Sequence, residues 1–213
     1  MASDGTKKRI GIFGGTFDPI HYGHLTIGQL ALETCQLDEL YFVPAGNPPH
    51  KDVSDVTDPF HRYQMVMMAL APHSQFHICD YEMKKNSPSY TLHLLTHFRE
   101  QFPEADLYLV MGADSFRELE LWYQYKNLFS LAHLVVMNRE GSDIITLGKK
   151  AHRYQHDFQA VITLITGIRL DVSSSMVRRR VLENLSIKHL LPEGVAHYIQ
   201  KEQLYQKQVK NHA

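Results

Sequence analysis

His21 and His24 stand one helical turn apart, just after a pair of glycines, in Arg9-Ile10-Gly11-Ile12-Phe13-Gly14-Gly15-Thr16-Phe17-Asp18-Pro19-Ile20-His21-Tyr22-Gly23-His24-Leu25. Imidazoles titrate near neutral pH, so such a pair can donate hydrogen bonds in the charged or the neutral form. Gly14 and Gly15 carry no Cβ and let a ligand come close to the peptide N–H groups. A second cluster, Asp171-Val172-Ser173-Ser174-Ser175-Met176-Val177-Arg178-Arg179-Arg180, puts three hydroxyls ahead of arginines. Ser175 and Arg178 lie one turn apart and can face one anion together. Both clusters suit phosphate. Other readings stand beside this one. His21 and His24 can form a metal pair on one helical face, and the serines can be an ordinary cap before a solvated basic face, as Arg179 and Arg180 are read.

The elements that must position these residues follow from pattern. The β-branched and aromatic run from Arg9 reads as a buried strand, and Asp18-Pro19 reads as turn chemistry. Leu25, Ile27, Leu30, Ala31 and Leu32 recur at helical spacing from Tyr22 to Cys35. Strand, Gly-rich turn and helix therefore follow one another, and a helix N-terminus offers unpaired N–H groups and a positive dipole end to phosphate.

Glu39 to Pro44 reads as a second strand running into the proline-stiffened loop Ala45-Gly46-Asn47-Pro48-Pro49-His50-Lys51. Loops at the C-terminal ends of parallel strands are where ligands sit, so Lys51 is either a solvated lysine or a point charge for phosphate. Thr57-Asp58-Pro59 starts a helix whose expected inner face is Tyr63, Val66, Met67 and Leu70. Phe76 to Asp80 is a strand candidate. Ser89-Tyr90-Thr91 opens a helix with Leu92, Leu95, Phe98 and Phe102 on one face. His93 with His97, and His152 with His156, have the i, i+4 spacing that can bind zinc, but neither pair has a third ligand nearby.

Asp106 to Met111 reads as a buried strand ending in Gly112-Ala113-Asp114-Ser115. Asp114 there can accept from ribose hydroxyls or simply cap a helix. Trp122 is either core or a stacking surface for an aromatic ring. A strand from His133 ends at Asn138-Arg139, residues Glu140 to Gln159 read as a polar, poorly patterned excursion, and Ala160 to Thr166 is the last strand candidate. Pro192 starts a final helix expected to reach Tyr205, with disorder expected after it. Alternating strands and helices predict an α/β fold, a Rossmann-like, doubly wound and mostly parallel sheet with helices on both faces. One domain over residues 1–213 is expected, its core about 8–180 and a C-terminal helical segment about 181–206.

The chain has 213 residues, 44% hydrophobic and 21% charged, with a formal net charge of −1. That balance argues against bulk attraction to nucleic acid or an anionic membrane, so phosphate binding must be local. Cys35 and Cys79 form no CxxC pair and are expected to be buried free thiols. With no signal-type or membrane-spanning apolar run, a cytoplasmic protein is expected.

The string Gly-Gly-Thr-Phe-Asp-Pro-Ile-His-Tyr-Gly-His resembles the HxGH signature of the nucleotidyltransferase superfamily. Together with Val172 to Arg178, which is similar to an ISSTxIR motif, and with Pro48-Pro49-His50-Lys51, Ser89-Tyr90-Thr91, Gly112-Ala113-Asp114 and Trp122 in order, nearly the whole chain resembles the bacterial nicotinate-nucleotide adenylyltransferases. The resemblance implies adenylyl transfer from ATP to nicotinate mononucleotide by direct in-line attack, giving deamido-NAD and pyrophosphate, with Mg²⁺ bridging the phosphates. It implies His21, His24 and Arg178 as catalytic. It also implies Gly14, Gly15, Thr16, Phe17, His21, His24, Gly112, Asp114, Ser174, Ser175 and Arg178 around ATP, and Lys51, Tyr90, Thr91, Trp122 and Arg139 around the mononucleotide. Two departures bear on the shape of the pyridine pocket: His93 stands where the family often has an acid, and Asn86-Ser87-Pro88 replaces a glycine-rich turn. The competing readings are other acceptors on the same fold (nicotinamide mononucleotide, phosphopantetheine, or a cytidylyl transfer), a nucleotide-binding module without catalysis, and a histidine-based metalloenzyme. The residues leave nicotinate against nicotinamide, the number of metal ions and homo-oligomerisation open.

Overall fold

Six short runs rich in Ile, Val, Leu and Phe pair side by side in one parallel sheet. They are β1 (Arg9–Gly15), β2 (Glu39–Pro44), β3 (Phe76–Ile78), β4 (Asp106–Gly112), β5 (His133–Arg139) and β6 (Ile162–Ile168), in the order β3-β2-β1-β4-β5-β6. The computed structural model describes residues 7–47, 56–85, 89–139, 143–168 and 171–206. Every neighbouring pair is parallel, with Phe13 opposite Phe42 on one side and Val110 on the other. Strands buried on both faces read as near-continuous apolar runs, as β1, β4 and β5 do.

The connecting helices are α1 (Tyr22–Thr34), α2 (Pro59–Leu70), α3 (Thr91–Gln101), α4 (Ala113–Arg117), α5 (Leu128–Leu131), α6 (Ile144–Phe158), α7 (Ser174–Leu182) and α8 (Glu193–Lys201). Strand side chains alternate between faces. Phe13, Phe42 and Val110 pack with α1, α2, α7 and α8 in one cluster. Ile10, Ile12 and Leu109 pack with α3, α4, α5 and α6 in the other. Fully burying a side chain such as Phe42 or Phe98 contributes about 1.5–3 kcal/mol. The doubly wound expectation therefore holds.

Several local expectations do not. The buried stripe of α2 is Arg62, Met65, Val66, Ala69 and Leu70, while Met67 is exposed. The helix is turned one position from the expected face, because its stripe includes an arginine. In α3, Leu94 takes the buried place expected of Leu92 and Phe102. Residues 144–158 are a helix rather than an irregular excursion, held by a narrow stripe of Leu147, Ala151 and Tyr154 among charged neighbours. The last helix stops at Lys201, short of Tyr205. Cys35 and Cys79 are free thiols, the first buried and the second partly so, and burial pushes both thiol pKa values up. The expected disorder falls on residues 207–213, outside the described residues. Among the described residues no helix is long and apolar enough to cross a membrane.

Candidate active site

Because the sheet order reverses between β1 and β4, their C-terminal ends open a crevice, the usual place for a ligand in such sheets. A cavity of about 360 Å³ lies there. Gly14, Gly15 and Thr16 line it after β1, Met111, Gly112 and Ser115 at the end of β4, and His24, Ser89, Tyr90, Thr91 and Trp122 complete much of the wall. A Cβ on Gly14 or Gly112 would meet nothing within 4 Å. Both therefore border open space in which a ligand can touch main chain.

His21 is the residue just before α1, in extended conformation, and only 3% exposed. Its backbone N–H donates to Nδ1 of His24 at 3.3 Å. An imidazole that accepts through Nδ1 carries its proton on Nε2, so the capping contact fixes both the tautomer and the ring direction of His24. The two rings stack with centroids 3.8 Å apart and 22° between planes. Phe17, held at φ +49°, supports His24 edge-on at 5.0 Å. Two imidazoles stacked at a helix N-terminus are an arrangement that suits an anion such as phosphate.

The second cluster reaches this turn by hydrogen bonds. Arg178 Nη1 donates to the Asp18 carbonyl at 2.7 Å, and Ser174 Oγ donates to the Pro19 carbonyl at 2.9 Å. Ser173 caps α7 by accepting from the Met176 N–H, and its hydroxyl also pairs with that of Ser175 at 3.1 Å. The structure thus brings His21, His24, Ser174 and Arg178 to one turn, although they are far apart in the chain.

Three supporting residues were missed by sequence reasoning. Arg62 is 0% exposed, and its guanidinium donates to the carbonyls of Thr57, Thr16 and Ala45 at 2.9, 2.8 and 2.7 Å. It therefore ties the β1–α1 turn to the loop after β2. An arginine inside the apolar stripe of α2 was the available signal. Asp18 is 3% exposed and accepts the Tyr205 hydroxyl at 2.7 Å and the Thr57 N–H at 3.3 Å. Burial and the Asp18 carboxylate together push the Tyr205 phenol pKa up. Glu82, 7% exposed, lines the cavity, and burial pushes its carboxyl up to about 7.

The wall that carries Glu82 is tightly built. A Cβ on Gly46 would lie 2.1 Å from the Glu82 carbonyl oxygen, so only glycine lets the two backbones approach. The Ser89 N–H donates to the Asn47 carbonyl at 3.1 Å, joining the loop after β2 to the start of α3. Tyr90 and Tyr123 lie 4.9 Å apart at the rim, and Trp122 packs partly against the α3 side of the core.

Not every expected residue reaches the cavity. Asp114 is in the first turn of α4, its side chain 88% exposed and paired with Arg117 at 2.7 Å, while its neighbours Gly112 and Ser115 line the wall. Lys51 and Asn86-Ser87-Pro88 lie outside the described residues, as does the side chain of Arg139 at the end of β5. The other histidines have local contacts: His97 stacks on Tyr81 at 3.9 Å, His93 meets Tyr90 edge-on at 5.7 Å, and His156 pairs with Asp157. Among the described residues no group of three or more His, Cys, Asp or Glu could hold a metal ion.

Residues 12–180 match the cytidylyltransferase-like family. The chain is 41% identical over 201 residues to a protein of Clostridium perfringens (strain 13 / Type A) named "Probable nicotinate-nucleotide adenylyltransferase", covering 94% of this chain and 100% of that one. A relative of the same name from Desulfitobacterium hafniense (strain Y51) is 40% identical over 205 residues, covering 96% and 99%. Among solved structures, Plasmodium falciparum nicotinic acid mononucleotide adenylyltransferase complexed with NaAD is similar with a TM-score of 0.76 at 23% identity, covering 93% of this chain and 97% of that one. At that identity the structural likeness supports the fold.

Proposed function

We propose a division of labour in the site from one premise: the chain belongs to the cytidylyltransferase-like family and, within it, to the nicotinate-nucleotide adenylyltransferases. It transfers the adenylyl group of ATP to nicotinate mononucleotide, giving deamido-NAD and pyrophosphate in NAD biosynthesis. The observation that carries our reading is the stacked His21–His24 pair at the N-terminus of α1, beside a cavity at the reversal point of the sheet.

In this reaction a phosphate oxygen of the mononucleotide attacks the α-phosphorus of ATP, and the bond from that phosphorus to the pyrophosphate oxygen breaks. The nucleophile is already anionic, so no side chain need be activated. The protein's task is alignment and the spreading of charge. His24, with its proton fixed on Nε2, and His21 donate to the reacting phosphates. Gly14 and Gly15 let the main chain approach them. Arg178 and Ser175 take the pyrophosphate end. Ser174 holds α7 against the turn through Pro19, and Thr16 and Phe17 shape the turn itself. Gly112 and Asp114 serve the ribose, Asp114 after leaving Arg117. Tyr90, Thr91 and Trp122 enclose the pyridine ring, with Lys51 and Arg139 serving the mononucleotide phosphate.

Mg²⁺ keeps several of its waters and binds through substrate phosphates, so the nucleotide's own phosphates would carry it. When bound, the ion neutralises phosphate charge. We further propose that the protein works in the cytoplasm as one nucleotidyltransferase domain, alone or as a homo-oligomer.

Pyrophosphate release with ATP and Mg²⁺ tests the reading, comparing nicotinate with nicotinamide mononucleotide at matched concentrations. A strong preference for the acid is the expected result. Preference for the amide would overturn the acceptor assignment, and silence with both would overturn adenylyl transfer to a pyridine mononucleotide.

A further inference from the structure

Glu82 shares a wall with Ser89, Tyr90, Thr91 and Trp122, yet the transfer chemistry gives it no task. The cavity around it is otherwise apolar or neutral, with Phe13, Ile27, Leu94 and Met111 among its lining. A carboxyl enclosed this way resists ionisation, and burial holds this one up near 7 against the opposing pull of the Ser89 hydroxyl and the Lys85 ammonium. Among the described residues, few titratable groups act on it. Lys85, whose ammonium lies over the Tyr81 ring at 3.8 Å, and the Cys79 thiol come from its own segment. Among the described residues of the loop after β2, Ala45 lines the same cavity and the Gly46 main chain lies against the Glu82 main chain. At the start of α3 stands the Ser89 hydroxyl, and His93 meets the rings of Tyr90 and Tyr123 edge-on at 5.7 and 5.8 Å. The Gly46 contact and the bond from Ser89 to Asn47 hold this wall in place.

We infer that Glu82 is a specificity-determining residue whose protonation state reads the acid against the amide on the acceptor's pyridine ring. The inference rests on the proposed placement of that ring between Tyr90, Thr91 and Trp122. Neutral Glu82 donates its O–H to a pyridine carboxylate. Ionised Glu82 repels that carboxylate and accepts instead from the N–H of a carboxamide. The only chemical change is a proton exchanged with solvent. Acid preference is therefore greatest below neutral pH and declines above it.

The test is the ratio of kcat/KM for nicotinate mononucleotide to that for nicotinamide mononucleotide, followed from about pH 6 to about pH 8.5. Both acceptors carry the same phosphate, so its titration and that of the histidine pair cancel in the ratio. A like charge worth one pKa unit predicts that the ratio falls by about tenfold across this range. In Glu82→Gln the ratio is flat, and in His93→Gln it still falls. A flat wild-type ratio in an active enzyme overturns this inference alone, as does a Glu82→Gln ratio that falls like the wild type. No adenylylation of either acceptor at any pH overturns the reading beneath it and this inference with it.

A second measurement needs no variant. Titrating each mononucleotide into the wild-type protein near pH 7.5, in two buffers of different ionisation enthalpy, reports proton uptake. Uptake with the acid and not with the amide supports the inference, and equal uptake with both contradicts it.

Discussion

The Arg178 guanidinium and the Asp18 carbonyl meet at 2.7 Å across 160 positions of chain, which seats the N-terminus of α7 against the turn that presents His21 and His24. The site is assembled by this contact from two helix N-termini, each with its own donors. Losing Arg178 therefore removes a brace from the turn and, in the proposed division of labour, a charge from the phosphates. Arg178→Ala is expected to lower kcat/KM for ATP by about 10²–10³. Arg178→Lys keeps the charge but not the planar fork, and should fall between. Steady-state pyrophosphate release measures both.

Arg62 holds four loop carbonyls, those of Thr57, Thr16, Ala45 and Gly46, from a position with no solvent. Arg62→Met leaves those acceptors and the nearby Asp18 carboxylate without their cation. The expected loss is about 3–5 kcal/mol of stability, read from urea unfolding.

Gly46→Ala places a methyl group 2.1 Å from the Glu82 carbonyl, and the obstacle is backbone that no rotamer change relieves. We expect a loss of about 1–3 kcal/mol, as for other overpacked sites. The KM of the mononucleotide should rise while that of ATP stays near the wild-type value, because the disturbed wall is on the side proposed for the acceptor.

Glu82 also makes stability depend on pH. Its carboxyl rises from 4.5 to about 7 on folding, so between those values the folded protein binds the extra proton. Its contribution is fully present below 4.5 and is lost as pH rises through about 7. Glu82→Gln keeps the neutral form, and should be about 1–3 kcal/mol more stable than wild type near pH 8. That advantage narrows as pH falls toward 4.5, where the wild-type side chain is also largely protonated when buried. Denaturant midpoints of the two proteins across this range decide it.

Much of the fold was legible because its signals are local. The strands from Arg9, Glu39 and Asp106 begin where their apolar runs begin, and Asp58-Pro59 starts α2 as cap and first-turn proline. His21 and His24 were legible because glycines, turn and helix start follow one another in a few residues. Arg62, Tyr205 and Glu82 were not legible in that way. Each acts through partners distant in the chain, Arg62 on Thr16, Tyr205 on Asp18, and Glu82 against Gly46 and Ser89. The helix over residues 144–158 was hidden for another reason: three buried positions are too few to stand out in a polar stretch. Asp114 shows the reverse case, a residue placed at a strand end as expected whose side chain turns to Arg117 instead of the cavity.

In the proposed division of labour His24, oriented by the His21 main chain, stabilises charge on the α-phosphate of the transferring adenylyl group. The most direct measurement is kcat for His24→Ala with saturating ATP and nicotinate mononucleotide, on protein whose Tm matches the wild type. A fall of about 10²–10³ is expected. A kcat equal to that of the wild type would contradict it.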